Sequence, residues 1–254
     1  MDALRDKVVV ITGAGRGQGL EELRKVAAEG GIPVAVDLDL GEEARSLAAL
    51  SHQGDVSDAR LWADIAGDIG REHGRLHGLV NNAGIGARAP LLDVSPETWQ
   101  RALDVNLTAP LLAMQALVPL MTSGGSIVNV GSIAGTTGMR TTAYTASKWG
   151  LRGLSKVAGN ELGGRGIRVN TLLPGYIDTP LVRQNPESFL HASLAQIPLG
   201  RVGRTTDIAP LVAFLLSDDA GWITGAEIVV DGGQTSHGGT RLLVGPFDTD
   251  GDVQ

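Results

Sequence analysis

The chain has 254 residues, with 21 basic against 28 acidic side chains, and the resulting charge of -7 gives no general attraction to nucleic-acid phosphates or anionic membranes. Cysteine is absent, which excludes disulfides and thiolate chemistry. With 43% hydrophobic residues and 36 glycines, the composition suits one α/β unit rich in tight turns and close backbone approaches.

The opening "MDALRDKVVVITG" enters an apolar strand at once, with no secretory pattern, and no apolar run approaches the ~18 residues of a membrane span. A soluble, cytoplasmic protein is therefore expected. "KVVVIT" predicts a first strand that ends at the turn "GAGRGQG". "LEELRKVAAEGG" follows as a helix, with Leu20, Leu23, Val26 and Ala27 at helical spacing before a double-glycine stop. "PVAVDL" predicts a second strand, whose Pro33 sits near the start, where a ladder N–H can be forgone. "GLVNNAG" is another buried strand, and "ETWQRALDVNLTAPLLAMQALVPLM" reads as one helix bent near Pro110. "GSIVNVGS" is strand, "AYTASKWGLRGLSKVAGNEL" helix, "GIRVNTLLPG" strand, "DIAPLVAFLLSD" helix and "AEIVVDGG" a last strand. Short Val/Ile/Leu runs without polar alternation, interleaved with helices, predict a parallel sheet covered on both faces. Residues 179–203, with three prolines and several large apolar side chains, stand outside this rhythm and are expected to form a lid.

Gly13, Gly17 and Gly19 fall where the first strand turns into a helix, so free N–H groups and the helix dipole can receive a pyrophosphate. The turn is not a complete G-x-G-x-x-G, since Leu20 takes the last slot, and it lacks the Gly-Lys-Ser/Thr ending of a triphosphate loop. Asp37, at the end of the second strand, can accept both adenosine ribose hydroxyls and would repel a 2'-phosphate. That favours NAD over NADP. Arg16 in the turn pulls the other way, and Asp55 is a candidate for the adenine amino group.

In "YTASK", Tyr144 and Lys148 share one helix face, ordinarily a surface pair. Context changes its meaning. "TGAGRGQG", Asp55 with Val56, "NNAG" at residues 81–84, "VNVGS" ending at Ser132, "YTASK" and "PGYIDTP" from Pro174 occur in one order over about residues 7–233. In that order the chain resembles the short-chain dehydrogenase/reductase family. The resemblance implies a single-domain, doubly wound Rossmann fold, with a mainly parallel seven-stranded sheet in the order 3-2-1-4-5-6-7. It implies hydride transfer between NAD(H) and a secondary alcohol or ketone, in a homotetramer or homodimer.

The resemblance assigns the catalytic roles to Asn106, Ser132, Tyr144 and Lys148. Tyr144 would exchange a proton with the substrate oxygen. A phenol with a pKa of about 10 needs a nearby cation to act as a base at neutral pH, which Lys148 would supply while also holding the nicotinamide ribose. Ser132 would polarise the substrate oxygen. Asn106 would hold a water beside Lys148. Gly13, Arg16, Gly17, Gln18, Gly19, Asp37, Asp55, Val56, Asn82, Ala83, Gly84, Pro174, Gly175, Ile177 and Thr179 would complete the cofactor site, with Thr179 on the carboxamide. Ile133, Thr137, Met139, Tyr176, Phe189, Leu190, Leu194 and Ile197 could line an apolar substrate pocket for a cyclic, aryl or steroid-like alcohol.

Three positions depart from the family's habit: Glu21 where a small residue is common, Gln18 where an aliphatic is common, and Trp149, expected to pack or meet another subunit. His73 and His77 lack a third ligand at motif spacing and read as solvent-facing, so no metal is expected. Neither H-E-x-x-H nor G-x-S-x-G occurs. Two other readings remain open, an NAD-dependent epimerase or dehydratase and a non-catalytic NAD-sensing protein.

Overall fold

Five successive buried residues, four of them β-branched aliphatics, make Val8–Thr12 (β1) a strand that must be covered on both faces. The computed structural model describes residues 2–241 and shows how that cover is supplied. After β1 come α1 (Gly17–Ala28), β2 (Ile32–Asp37), α2 (Glu42–Leu47), β3 (Leu50–Gln53), α3 (Ala59–Glu72) and β4 (Leu76–Asn81). Then follow α4 (Pro96–Leu103), α5 (Ala109–Leu117), β5 (Met121–Val130), α6 (Thr142–Gly163), β6 (Arg168–Pro174), α7 (Glu187–Gln196), α8 (Thr205–Leu216) and β7 (Glu227–Val230). The seven strands form one sheet in the order β3-β2-β1-β4-β5-β6-β7, and every described pairing is parallel. Each strand feeds its two faces alternately. Val8 and Val10 join the core that includes Ile65 of α3 and Ala113 of α5, whereas Val9 and Ile11 join Leu23 of α1 and Val212 of α8.

The strand order reverses between β1 and β4, which opens a crevice at the carboxyl ends of these two strands. The predicted strands and the helix over α6 lie where expected, and two helices absent from the motif reading, α2 and α3, complete the first half. The latter starts on an Asp58 cap that accepts from Arg60 N at 2.9 Å.

The single helix expected before β5 is present over Pro96–Leu120, and its irregularity is a π-turn over Asp104–Thr108, where Ala109 N bonds back to Asp104 O. Pro110 has no N–H to offer Asn106 O, so regular α-helix cannot run through this point. The helical stripe of α1 is also rotated: its buried members are Gly19, Glu22, Leu23 and Val26, whereas Leu20 is only partly buried. His77 is not solvent-facing, since it is half-buried in β4 and its Nδ1 accepts from Val8 N at 2.9 Å.

A polar ladder crosses the otherwise apolar interior. Asn81 Nδ2 donates to Asn129 Oδ1 at 2.7 Å, and Asn129 Nδ2 donates to Ser155 Oγ at 2.8 Å, which links β4, β5 and α6. All three residues are buried, and Ser155 Oγ continues to Leu151 O at 2.7 Å. Such a network is tolerable because its members satisfy one another. The stretch Pro96–Leu120 is long and apolar enough for a membrane span, but Ala102, Ala109, Ala113 and Leu117 bury one side of it in this core.

Candidate active site

A cavity of about 480 Å³ runs along the carboxyl ends of the central strands, from Asp37 and Asp55 at one end to Ser132, Tyr144 and Lys148 at the other. Its floor is the glycine turn. Gly13 and Gly17 have φ of 68° and 58°, where a side chain would be strained. A Cβ on Gly15 would fall 2.0 Å from Asp39 O, and one on Gly19 would fall 2.1 Å from Gly13 O. Arg16 precedes α1 without a side-chain cap, which leaves the first N–H groups of that helix open to an anion. Arg16 itself is exposed on the rim.

Thr12, which motif reading passed over, ties this turn to the next strand. Its Oγ1 accepts from Asn82 N at 3.0 Å and Ala83 N at 2.9 Å, and Asn82 Nδ2 donates to Thr12 O at 2.9 Å. Gln18 borders the cavity, and its Nε2 donates to Asn82 Oδ1 at 3.1 Å and to Glu22 Oε1 at 2.9 Å. The acid below the turn is thus Glu22 and not Glu21, which pairs at the surface with Arg24 at 2.8 Å. Glu22 is fully buried, its Oε2 has no partner, and burial pushes its pKa up to about 8, with the Gln18 bond opposing.

At the adenosine end, Asp37 Oδ2 accepts from Gly15 N at 2.8 Å, which fixes the carboxylate at the cavity wall. Asp55 is engaged by its own neighbours. Its Oδ1 accepts from Ser57 N at 2.9 Å, and Arg101 Nη2 lies 2.8 Å from Oδ2. Burial alone would raise the Asp55 pKa, but these bonds hold it below the ordinary value. Val56 and Leu38 line the same end, and Arg101 and Leu38 had no signal in motif spacing.

At the other end the π-turn carries Asn106 inward. Asn106 Oδ1 accepts from Ile85 N at 2.9 Å, while Nδ2 donates to Ile85 O and to Ser147 Oγ, both at 3.0 Å. This pins the chain after β4 to α6. A Cβ on Gly84 would stand 3.2 Å from Asn106 Oδ1 and 3.6 Å from Lys148 Nζ, so glycine leaves space beside the amine. Lys148 is buried, donates to Val130 O at 2.8 Å, and its Nζ lies 5.8 Å from the Tyr144 ring centroid. Burial pushes its pKa down to about 8. Burial raises the Tyr144 pKa, with the Ser132 hydroxyl opposing. In the chain by itself, Tyr144 is therefore held as a proton donor.

Pro174, Gly175, Ile177 and Thr179 all border the cavity, as do Val130 and Gly131 just before Ser132. The eight expected pocket residues do not. The apolar lining near the chain after β4 comes instead from Ile85, Gly86, Leu181 and Val182, with Gln184 also bordering the cavity. Tyr176 and Phe189 stack on each other at 5.7 Å, and Ile197 is buried where a Cβ on Gly232 would meet it at 2.8 Å. Among the described residues no group of three or more His, Asp or Glu side chains could hold a metal.

The residues present fit a dinucleotide: a close-approach turn at a helix start, a strand-end carboxylate, and a long cavity between them and a buried amine. A sequence profile described as enoyl-(acyl carrier protein) reductase matches residues 8–235. The chain is 38% identical to trans-4-hydroxycyclohexanecarboxylate dehydrogenase of Sinomonas cyclohexanicum, covering 94% of this chain and 97% of that protein. It is 39% identical to a 3-alpha-(or 20-beta)-hydroxysteroid dehydrogenase of Mycobacterium bovis, over 89% and 88% of the two chains. A crystal structure of a Brucella melitensis short-chain dehydrogenase/reductase superposes with a TM-score of 0.87 at 29% identity, over 91% of this chain and 98% of that one. Agreement of turn, strand order and near-full-length similarity makes this chain a member of the short-chain dehydrogenase/reductase family and an NAD-dependent oxidoreductase.

Proposed function

We propose that the enzyme interconverts a hydrophobic cyclic or steroid-like secondary alcohol and its ketone, with Tyr144 handling the proton. The observation that carries this reading is the position of Ser132 and Tyr144 at the end of a cavity that is also lined by Ile85, Gly86, Leu181 and Val182. A wall of that kind rewards ring carbons and offers nothing to a phosphorylated sugar. The activities for which the hydroxycyclohexanecarboxylate and hydroxysteroid relatives are named support it.

NAD, when bound, supplies the acceptor or donor of the hydride. The chain's own residues do the rest. Ser132 holds the substrate oxygen and stabilises charge on it as the carbon changes hybridisation. Tyr144 gives its proton to a carbonyl or takes one from an alcohol. Lys148 moderates the phenol and, with Asn106 beside Gly84, leads the proton away from the site. Because burial holds Tyr144 protonated beyond the ordinary phenol range, oxidation should accelerate as pH rises, and ketone reduction should persist until the phenol itself gives up its proton.

The test is a paired NAD and NADP screen of cyclic, aryl and short aliphatic alcohols, read by nicotinamide absorbance. Cyclic substrates should give the highest kcat/KM. Activity confined to short aliphatic alcohols, or none with any, would overturn the reading, and net NADH production separates it from an epimerase. Asp37→Ala should cut the NAD-over-NADP ratio of kcat/KM by at least about tenfold, the effect of losing one charged pair of ribose bonds. An unchanged ratio would remove Asp37 from cofactor choice.

We further propose that residues 179–203 act as the lid and that the protein is a cytoplasmic homodimer or homotetramer. Exposed Leu111, Trp149 and Val157, at 38, 48 and 53%, put apolar surface on α5 and α6, where a second copy could cover it. Sedimentation showing only monomer at micromolar concentration would refute the assembly.

A further inference from the structure

The turn formed by residues 181–184 roofs the catalytic end of the cavity with little apolar anchorage. None of Val182–Gln184 is buried, and Leu181 is 37% exposed. Glycines leave room beneath it: Pro180 Cδ, just before the turn, lies 3.2 Å from where a Gly17 Cβ would stand, and Leu181 Cδ1 lies 3.3 Å from where a Gly86 Cβ would stand. Within the segment, Arg183 Nε donates to Asp178 Oδ1 at 2.6 Å, and the tie to a different loop is Arg88. Its Nη1 donates to Gln184 O at 2.7 Å and its Nη2 to Leu181 O at 3.1 Å. Among the described residues Arg88 makes no ion pair, so its charge is directed at these two carbonyls.

The loop that carries Arg88 is itself fastened to the catalytic helix, because Thr142 N donates to Ala89 O at 3.2 Å, two residues before Tyr144. One loop thus grips α6 on one side and the roof on the other. A guanidinium fork on two main-chain carbonyls is directional, yet it is exposed and can exchange its partners for water. We propose that Arg88 is the latch of the lid, a positioning residue that holds residues 181–184 closed over the catalytic end and must let go before cofactor leaves. The proposal rests on the oxidoreductase reading above but not on the identity of the alcohol.

The test compares the parent with Arg88→Ala and Arg88→Lys. NADH release, followed by stopped-flow fluorescence without any alcohol, should be about tenfold faster in the alanine variant, the equivalent of one charge-assisted hydrogen bond. The lysine variant, able to reach one carbonyl, should fall between, and it serves as the measure if alanine loosens the loop. KM for the best alcohol in the screen should rise with the release rate, while single-turnover hydride transfer at saturation stays within about twofold. Release within twofold of the parent in both variants, or slower single-turnover chemistry with release unchanged, would overturn the proposal. Because release needs no substrate, failure of the cyclic-alcohol reading would leave this result interpretable.

Discussion

Tyr144→Phe is expected to lower kcat for alcohol oxidation about 1,000-fold while the Kd for NADH moves less than about twofold. The change deletes one oxygen from a side chain that borders the cavity and leaves the ring, and with it the packing on the cluster of Ala87, Ala102 and Ala143, in place. Only the proton carrier is lost. Ser132 would still hold an alcohol near the site, which is why some residual activity is expected. A decisive control is the pH profile. In the parent, oxidation should climb with pH as the Tyr144 and Lys148 assembly gives up a proton, and in the phenylalanine variant the residual rate should be flatter. Hydride transfer undiminished in the variant, measured in a single turnover, would remove Tyr144 from the chemistry.

Glu22→Gln should stabilise the protein, and more so as pH rises. An ordinary glutamate titrates at 4.5, whereas burial lifts Glu22 to about 8 in the folded chain. Between those values the unfolded chain has released the proton and the folded chain still carries it. The folded state therefore binds more protons, and stability declines with pH by roughly 1.4 kcal/mol per unit across that interval. Glutamine copies the shape of the protonated acid and keeps an acceptor for Gln18, but never ionises. The gap between variant and parent should be small near pH 5 and reach several kcal/mol, on the order of 4, near pH 8. Chemical denaturation at a series of pH values reads it directly. A gap that does not widen with pH would mean that Glu22 ionises as freely in the folded chain as in the unfolded one.

Glu22 also marks a boundary of what periodicity can disclose. Reading only apolar residues picked out Leu20, Leu23, Val26 and Ala27 at helical spacing in α1, whereas the buried set is Gly19, Glu22, Leu23 and Val26. The spacing was right and its phase was not, because a glycine and a glutamate occupy two of the four inward slots. The strands were legible for the opposite reason: Val8–Thr12 is buried throughout, so no phase had to be chosen. The glycine turn, Asp37 and the Tyr144 and Lys148 pair lay within short stretches whose local geometry determines which way they face. The apolar end of the cavity did not. Phe189 and Ile197 are as hydrophobic as Leu181 and Val182, and only the docking of the segment decides that the former pack on Tyr176 and beneath Gly232 while the latter border the cavity. Arg101, which fixes Asp55, was equally silent, since a bond from a helix to a distant loop leaves no periodic trace.

The amide ladder from Asn81 through Asn129 to Ser155 has a mechanical consequence for the catalytic helix. Aliphatic contacts are nearly indifferent to rotation, so a long rod seated only on valines and leucines could roll about its axis at small cost. A directional bond to a single hydroxyl on that rod behaves like a key in a shaft. With Ser155 indexed to the sheet, a one-position slip would swing the phenol about 100° away from the crevice and would also orphan the buried amide of Asn129. Aim, in this enzyme, is set three turns downstream of the group that is aimed.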